Sequence, residues 1–154
     1  MEPDKIDRHL LMLLQQDAKL TTRQLAHLLN LTVTPVYERI KKLEKAGYIS
    51  KYVALTNKKK LGKLLTVFCH VSLKEHNKEM IHEFEEKINH IPEVMECHHI
   101  AGIHDYLLKV VTDDMDAYHH FVYNKLTAIG NIANVNSSFV MNEIKYTTAH
   151  HLNY

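Results

Sequence analysis

The spacing of hydrophobic residues changes several times along this chain, and each change marks an element. Over residues 4–16, Ile6, Leu10, Leu13 and Leu14 recur at helical spacing, with Asp4 placed to cap the helix they predict. Thr21 and Gln24 have the T-x-x-Q spacing of a capping box, and Leu25, Leu28 and Leu29 then share one helix face. Asn30 ends that helix, because Asn tolerates the left-handed conformation. Thr32 or Thr34 caps a third helix, with Pro35 in its first turn, where a missing N–H costs little. Val36, Ile40 and Leu43 recur at i, i+4 and i+7 and point inward, Gly47 stops the helix, and Tyr48 to Ala54 alternates as a strand does. Two short helices around a tight turn, a helix before them and a wing strand after them predict a winged helix-turn-helix over residues 1–54. That motif docks its second helix in the DNA major groove. Taken alone, the segment fits an ordinary three-helix bundle with a solvated basic face equally well.

Residues 55–63, with their TNKKKLGK run, read as a polar linker whose lysines either touch the DNA backbone or are simply solvated. Beyond it the period changes again. Leu65, Val67, Cys69, Val71 and Leu73 alternate, as in a half-buried strand. Ile81, Phe84 and Ile88 make a helical stripe within residues 77–90, and strands follow over 94–100 and 106–111. Asp113 or Asp114 caps a further helix with Met115, Tyr118, Val122 and Leu126 inward, Gly130-Asn131 breaks it, and residues 135–146 form a long last strand. The order βαββαβ is the ferredoxin-like arrangement, so the fold class is α+β, with a second domain over residues 64–154 ending in a tail from Thr147. The helix-free face of such a sheet needs a cover. A second copy is the simplest one, giving a dimer whose twofold axis would set two recognition helices about 34 Å apart.

A chain of 154 residues suits one or two domains of the usual size, roughly 50–200 residues each. No apolar run approaches the roughly 20 residues that span a bilayer, and the N-terminus lacks a signal-peptide pattern, so a soluble protein in the cytoplasm, with no membrane partner, is expected. Charge is nearly balanced in total, but not along the chain. Residues 1–63 hold 13 Lys+Arg and 6 Asp+Glu (+7), whereas residues 64–154 hold 6 and 12 (−6). A basic front half can neutralise phosphates and release their counterions, and an acidic rear half would face away from them.

The candidate chemistry adds little else. Cys69 and Cys97 lack metal-ligand spacing and read as reduced sheet residues. Of thirteen histidines, eleven follow residue 64, but the adjacent pair His98-His99 points to opposite faces of a strand, and His119-His120 diverge on a helix. Neither pair chelates one ion well, so no metal is expected; the histidines could make assembly pH-sensitive. No nucleophile elbow, P-loop or dinucleotide fingerprint is present, which argues against an enzyme.

Four stretches, IDRHLLMLLQQDAKLTTRQLA, LTVTPVYERIKKLEKAGYI, PEVMECHHIAGIHDYLLKV and VMNEIKYTT, in this order and spacing, closely resemble the Lrp/AsnC (leucine-responsive, feast/famine) family of bacterial regulators, from about Ile6 to Thr148. The resemblance implies a nucleoid-bound transcriptional regulator with a C-terminal sensor domain. It also implies dimers that assemble into octamers or other higher oligomers, and an amino-acid effector bound where dimers meet, with no other cofactor. The effector loop would be Ile100, Ala101, Gly102, Ile103, His104, Asp105 and Tyr106, with Asp114, Ser137 and Ser138 near the pocket. Ala101 stands where Thr or Ser is common, Ser137-Ser138 where Thr and Arg or Thr occur, and Gly130-Asn131 where Pro-Gly is usual; the first two reduce the polarity of the expected pocket. Physically, Gly102 permits close backbone approach, turn N–H groups can grip a carboxylate, and Asp105 could pair with an α-amino group. Gly and Asp also make plain hairpin turns.

The expected DNA contacts are Arg39, Lys41 and Lys42 on the recognition helix, with Thr32, Thr34, Pro35, Tyr37 and Glu38 beside them and Arg23 reaching a phosphate from the preceding helix. The function expected is a sequence-specific, double-stranded-DNA-binding regulator modulated by a small effector, an amino acid by resemblance. The alternatives are a chromosome-organising protein without effector and, remotely, an enzyme of ferredoxin-like fold.

Overall fold

The computed structural model describes residues 2–153, which form two compact units. One unit comprises the chain up to Leu55 together with the residues from Lys145 onward; the other is Thr56–Ile144.

In the first unit, α1 (Lys5–Gln16), α2 (Thr22–Leu28) and α3 (Val33–Lys45) follow the expected starts and stops. Asp4 and Asp7 form a reciprocal capping box on α1, and Thr21 and Gln24 form one on α2. Thr32 is the N-cap of α3 without a side-chain bond, which leaves Pro35 in the first turn. The turn between α2 and α3 is a Schellman motif. Asn30 adopts φ 52°, its N–H donates to the His27 carbonyl at 3.2 Å, and the Leu31 N–H donates to the Ala26 carbonyl at 2.9 Å. The same motif ends α3 at Gly47 (φ 77°), where the Tyr48 N–H donates to the Leu43 carbonyl at 3.0 Å. Leu10, Leu25, Ala26, Val36 and Leu43 are buried together, so the three helices close one small core.

The wing strand expected over Tyr48 to Ala54 is not formed: this segment has no regular structure and no strand partner among the described residues. Alternation reports which side chains prefer burial, but a strand also needs a neighbour to take its N–H and C=O groups.

The second unit contains β1 (Leu65–Leu73), α4 (Lys78–Asn89), β2 (Val94–His99), β3 (Tyr106–Thr112), α5 (Met115–His120) and β4 (Ile132–Phe139), an antiparallel sheet in the order β2-β3-β1-β4. Val67, Cys69, Val71, Tyr106, Leu108 and Val110 pack with Phe84 and Ile88 of α4 and with Tyr118, Phe121 and Leu126 on its helix-covered side. The segment 56–63 belongs here rather than to a free linker. Lys58 pairs with Glu143 at 2.6 Å, and Lys63 with Asp113 at 2.6 Å.

Two boundaries differ from expectation. After α5 the chain winds as a π-helix over Phe121–Leu126, where Phe121 and Leu126 are buried; Met115, expected inward, opens α5 and is exposed. β4 starts at Ile132 and stops at Phe139, because its pairing with β1 ends with the register at Val67–Phe139. The uncovered face of the sheet is mixed rather than apolar. By register it carries Phe68, His70 and Ser72 of β1, Leu107, Lys109 and Val111 of β3, Glu96 and His98 of β2, and Asn134, Asn136 and Ser138 of β4.

Candidate functional site

Two regions carry the expected site residues. On the first unit, α3 buries Val36 and Leu43, and this turns Thr34, Pro35, Tyr37, Glu38, Lys41 and Lys42 to solvent, with Thr32 exposed at its start. Arg23 is exposed on α2. The exposed row is partly knitted together: Lys41 Nζ lies 5.8 Å from the centre of the Tyr37 ring and 2.9 Å from Glu44, and the Tyr52 hydroxyl donates to Glu44 at 3.0 Å. These donors hold the Glu44 carboxyl below its usual range, Lys41 foremost. Lys42 and Lys45 are exposed and make no ion pair among the described residues.

Arg39 does not join this row. Its Nη1 donates to Asp7 Oδ1 at 2.6 Å and Asp4 Oδ2 at 2.7 Å, bridging α3 to the start of α1, with the Asp7 side chain only 7% exposed. The pairing raises the pKa of Arg39, the bond it donates to Asp7 contributing most. Both bonds use Nη1 alone, so the pair ties α3 to α1 while Nε and Nη2 keep their donors. No local signal announces this pair: Asp4 reads only as a capping residue, Asp7 carries no expected role, and Arg39 lies more than thirty positions away.

On the second unit, residues 100–106 cross between β2 and β3. Ala101, Gly102 and Ile103 are exposed at the tip, His104 and Asp105 are half-buried, and Tyr106 is buried. Asp105 pins the loop to the end of β1. Its N–H donates to the Val71 carbonyl at 3.0 Å and its carbonyl accepts from Ile100 at 2.8 Å. Its carboxylate accepts from the Leu73 N–H at 2.7 Å and meets His76 Nε2 at 3.0 Å. The Leu73 N–H is the main reason its carboxyl lies below the usual range, with His76 adding to it. The carboxylate expected to meet an α-amino group is thus already engaged within the chain. His104 Nδ1 is 3.1 Å from Ser72 Oγ, and its ring lies 5.2 Å from that of His70. Tyr106 donates to Glu85 at 2.8 Å and stacks on His99; burial, more than Glu85, raises its pKa.

The other expected pocket residues lie elsewhere. Asp114 caps α5 through the Ala117 N–H at 2.8 Å. The loop precedes β3 and Asp114 follows it, so they sit at opposite ends of a seven-residue strand, roughly 20 Å apart at about 3.3 Å per residue. Ser137 Oγ shares a 2.5 Å hydrogen bond with the Tyr118 hydroxyl, which is 3.2 Å from Cys69 Sγ, all toward the helix side. Ser138 is in register with Phe68 on the opposite face. One copy of the chain therefore does not gather the loop, Asp114, Ser137 and Ser138 into one pocket. Sequence reading missed His76 and Ser72 as neighbours of the loop; the H-N-K and V-S-L contexts they sit in carry no motif that would single them out.

Cys69 is buried and Cys97 half-buried, both as free thiols. Among the described residues no three His, Cys, Asp or Glu side chains are grouped to hold a metal ion, and no helix is long and apolar enough to cross a membrane.

Residues 66–150 match the Lrp/AsnC ligand binding domain, and residues 3–50 match a winged helix-turn-helix DNA-binding domain. The chain is 40% identical over 146 residues to the DNA-binding transcriptional activator DecR of Escherichia coli, covering 95% of this chain and 96% of that protein. Among solved structures, it superposes on a transcriptional regulator from Neisseria meningitidis in complex with L-Met at TM-score 0.93, with 35% identity and 97% of each chain covered. It also superposes on an AsnC family transcriptional regulator from Agrobacterium tumefaciens at TM-score 0.92, with 38% identity and 96% of each chain covered.

Proposed function

This chain belongs to the Lrp/AsnC family of DNA-binding transcriptional regulators, and we propose that it reads DNA through the outer face of α3 and is regulated by an amino acid bound at the loop over residues 100–106. The observation that carries the first part is the geometry of the N-terminal unit. Two Schellman turns and a closed core present Thr34, Tyr37, Glu38 and Lys42 as one exposed row, on a stretch, residues 1–55, with 9 Lys+Arg against 6 Asp+Glu (+3). Thr34, Tyr37 and Glu38 take base or phosphate contacts, Lys41 and Lys42 meet phosphates, and Arg23 meets a phosphate from α2. Thr32 and Pro35 lie where the helix N-terminus approaches the backbone. Arg39 holds α3 against α1.

The effector reading is supported by the bound L-Met of the Neisseria relative and by the exposed backbone of Ala101–Ile103, whose N–H groups suit a carboxylate. Because Asp105 is engaged by Leu73 and His76, the α-amino group finds its partner elsewhere. The separation of the loop from Asp114 points to a pocket completed by another copy. Assembly of dimers accounts for this, with the mixed face of Phe68, Leu107, Val111, Glu96 and Lys109 covered by a second protomer.

Thermal melting against each free amino acid at millimolar concentration tests the effector. A ligand preferring the folded state adds RT ln(1 + [L]/Kd), about 2.7 kcal/mol at a hundredfold excess over Kd. An upward shift for one or a few amino acids is expected. No shift for any would favour a second reading, a chromosome-organising protein without amino-acid control, which the engaged state of Asp105 also suits.

A further inference from the structure

The N-terminal unit is discontinuous in sequence: its helices come from the front of the chain, and residues from Lys145 onward return to complete it. The return is held by specific bonds. The Gln15 carboxamide pairs with both backbone groups of His150, its Nε2 donating to the carbonyl at 3.1 Å and its Oε1 accepting from the N–H at 2.7 Å. This two-point pairing is what a neighbouring strand offers an extended peptide, and it takes the segment by its main chain. Two turns away on α1, Arg8 Nη1 donates to the Asn153 carbonyl at 3.2 Å, while its Nε donates to the Pro3 carbonyl at 3.2 Å. Leu152 is half-buried and lines a shallow cleft with Pro3, Leu11 and Tyr48.

We propose that the outer face of α1 is a docking site for the extended C-terminal segment of this chain, residues 148–153, and that the docked segment steadies the recognition helix through α1. The contacts are continuous. Gln15 and Arg8 hold the segment on α1, and Asp4 and Asp7 at the start of the same helix hold Arg39 of α3. Ordering α1 therefore orders α3, and a segment that leaves its site loosens both. The chain passes between the two units twice, at residues 55–56 and again at 144–145, and the second passage leads into the docked segment. The inference rests on the assignment of α3 to DNA and is independent of which effector, if any, the second unit takes.

The test uses the full chain with Gln15→Ala or Leu152→Asp, and a chain ending at Lys145. Amide exchange over residues 5–16 and affinity for a duplex selected from random sequence are measured for each. All three variants should exchange faster across α1 and bind the duplex about threefold or more weakly. A synthetic peptide YTTAHHLN, residues 146–153, added at millimolar concentration to the shortened chain should restore both, and the same peptide with Asp in place of Leu152 should restore neither. Wild-type exchange and affinity in the two full-length variants would overturn the proposal, as would a shortened chain that folds and does not respond to the peptide. If the shortened chain does not fold, the full-length variants decide the question alone. Loss of DNA binding by the wild-type chain itself would instead overturn the assignment of α3.

Discussion

Arg39 Nη1 stands 2.6 Å from Asp7 Oδ1, joining the middle of α3 to the first turn of α1. The pair is largely shielded, with side-chain exposures of 27% and 7%. Replacing Arg39 by Ala leaves the Asp7 carboxylate without its cation, which should lower the stability of the N-terminal unit by about 1–3 kcal/mol. Thermal or urea melting of Arg39→Ala checks this. An unchanged midpoint combined with lost DNA binding would return Arg39 to the DNA contacts.

Lys42 behaves in the opposite way. It is exposed and makes no ion pair among the described residues, so Lys42→Ala should leave melting unchanged while weakening DNA binding and reducing the dependence of log K on log salt by about one phosphate contact. Titrations at several salt concentrations read this directly. Tyr37→Ala should weaken binding too, and by different amounts on different sequences if the ring meets a base.

The charge of Asp4 has its own signature. Its carboxyl is held below its ordinary value of 3.8, first by the Asp7 N–H and also by Arg39. A depressed carboxyl contributes stability above its unfolded pKa and loses it as pH falls through the folded value. Asp4→Asn keeps a good N-cap and removes only the charge. Wild type should be the more stable at neutral pH, and the gap should close as pH falls from about 4 toward 2. A gap that persists in acid would show that the charge is not the cause.

Asp105 fixes the loop over residues 100–106. Asp105→Ala leaves the Leu73 N–H unpaired and frees His76, costing about 1–3 kcal/mol in the second unit and speeding exchange at Leu73. Because the carboxyl is depressed, its contribution is present at neutral pH and fades only in acid, below the ordinary carboxylate range. Unaltered exchange at Leu73 in the variant would remove Asp105 from the anchoring of the loop.

Local chemistry made much of this legible in advance. The cap at Asp4, the capping box at Thr21, the left-handed Asn30 and the stop at Gly47 are decided by neighbours within four residues, and the alternation of β1 reports a sheet with one buried face. What stayed hidden depends on partners distant in sequence. Nothing near Asp7 or Gln15 points to the partners they find: α3 brings Arg39 to Asp7, and the returning chain brings His150 to Gln15. Tyr48 to Ala54 alternates without gaining a strand neighbour, and the π-helical turn at Phe121–Leu126 has no Gly or Pro to announce it. The residues expected at the effector pocket show the same limit. The loop was recognisable as a unit, whereas the opposite facing of Ser137 and Ser138 follows only from the register of β4 against β1.

The most direct test of an amino-acid-controlled DNA reader is a fluorescence anisotropy titration of the full-length protein against a selected duplex, run without ligand and then with each free amino acid at millimolar concentration. The account predicts saturable binding that weakens on Lys42→Ala, with an affinity shifted by one or a few amino acids, by about fivefold or more if coupling is of the usual size. Isotherms that no amino acid moves would contradict the proposed control, and a duplex affinity indifferent to Lys42 and Tyr37 would contradict the assignment of α3 as the reading helix.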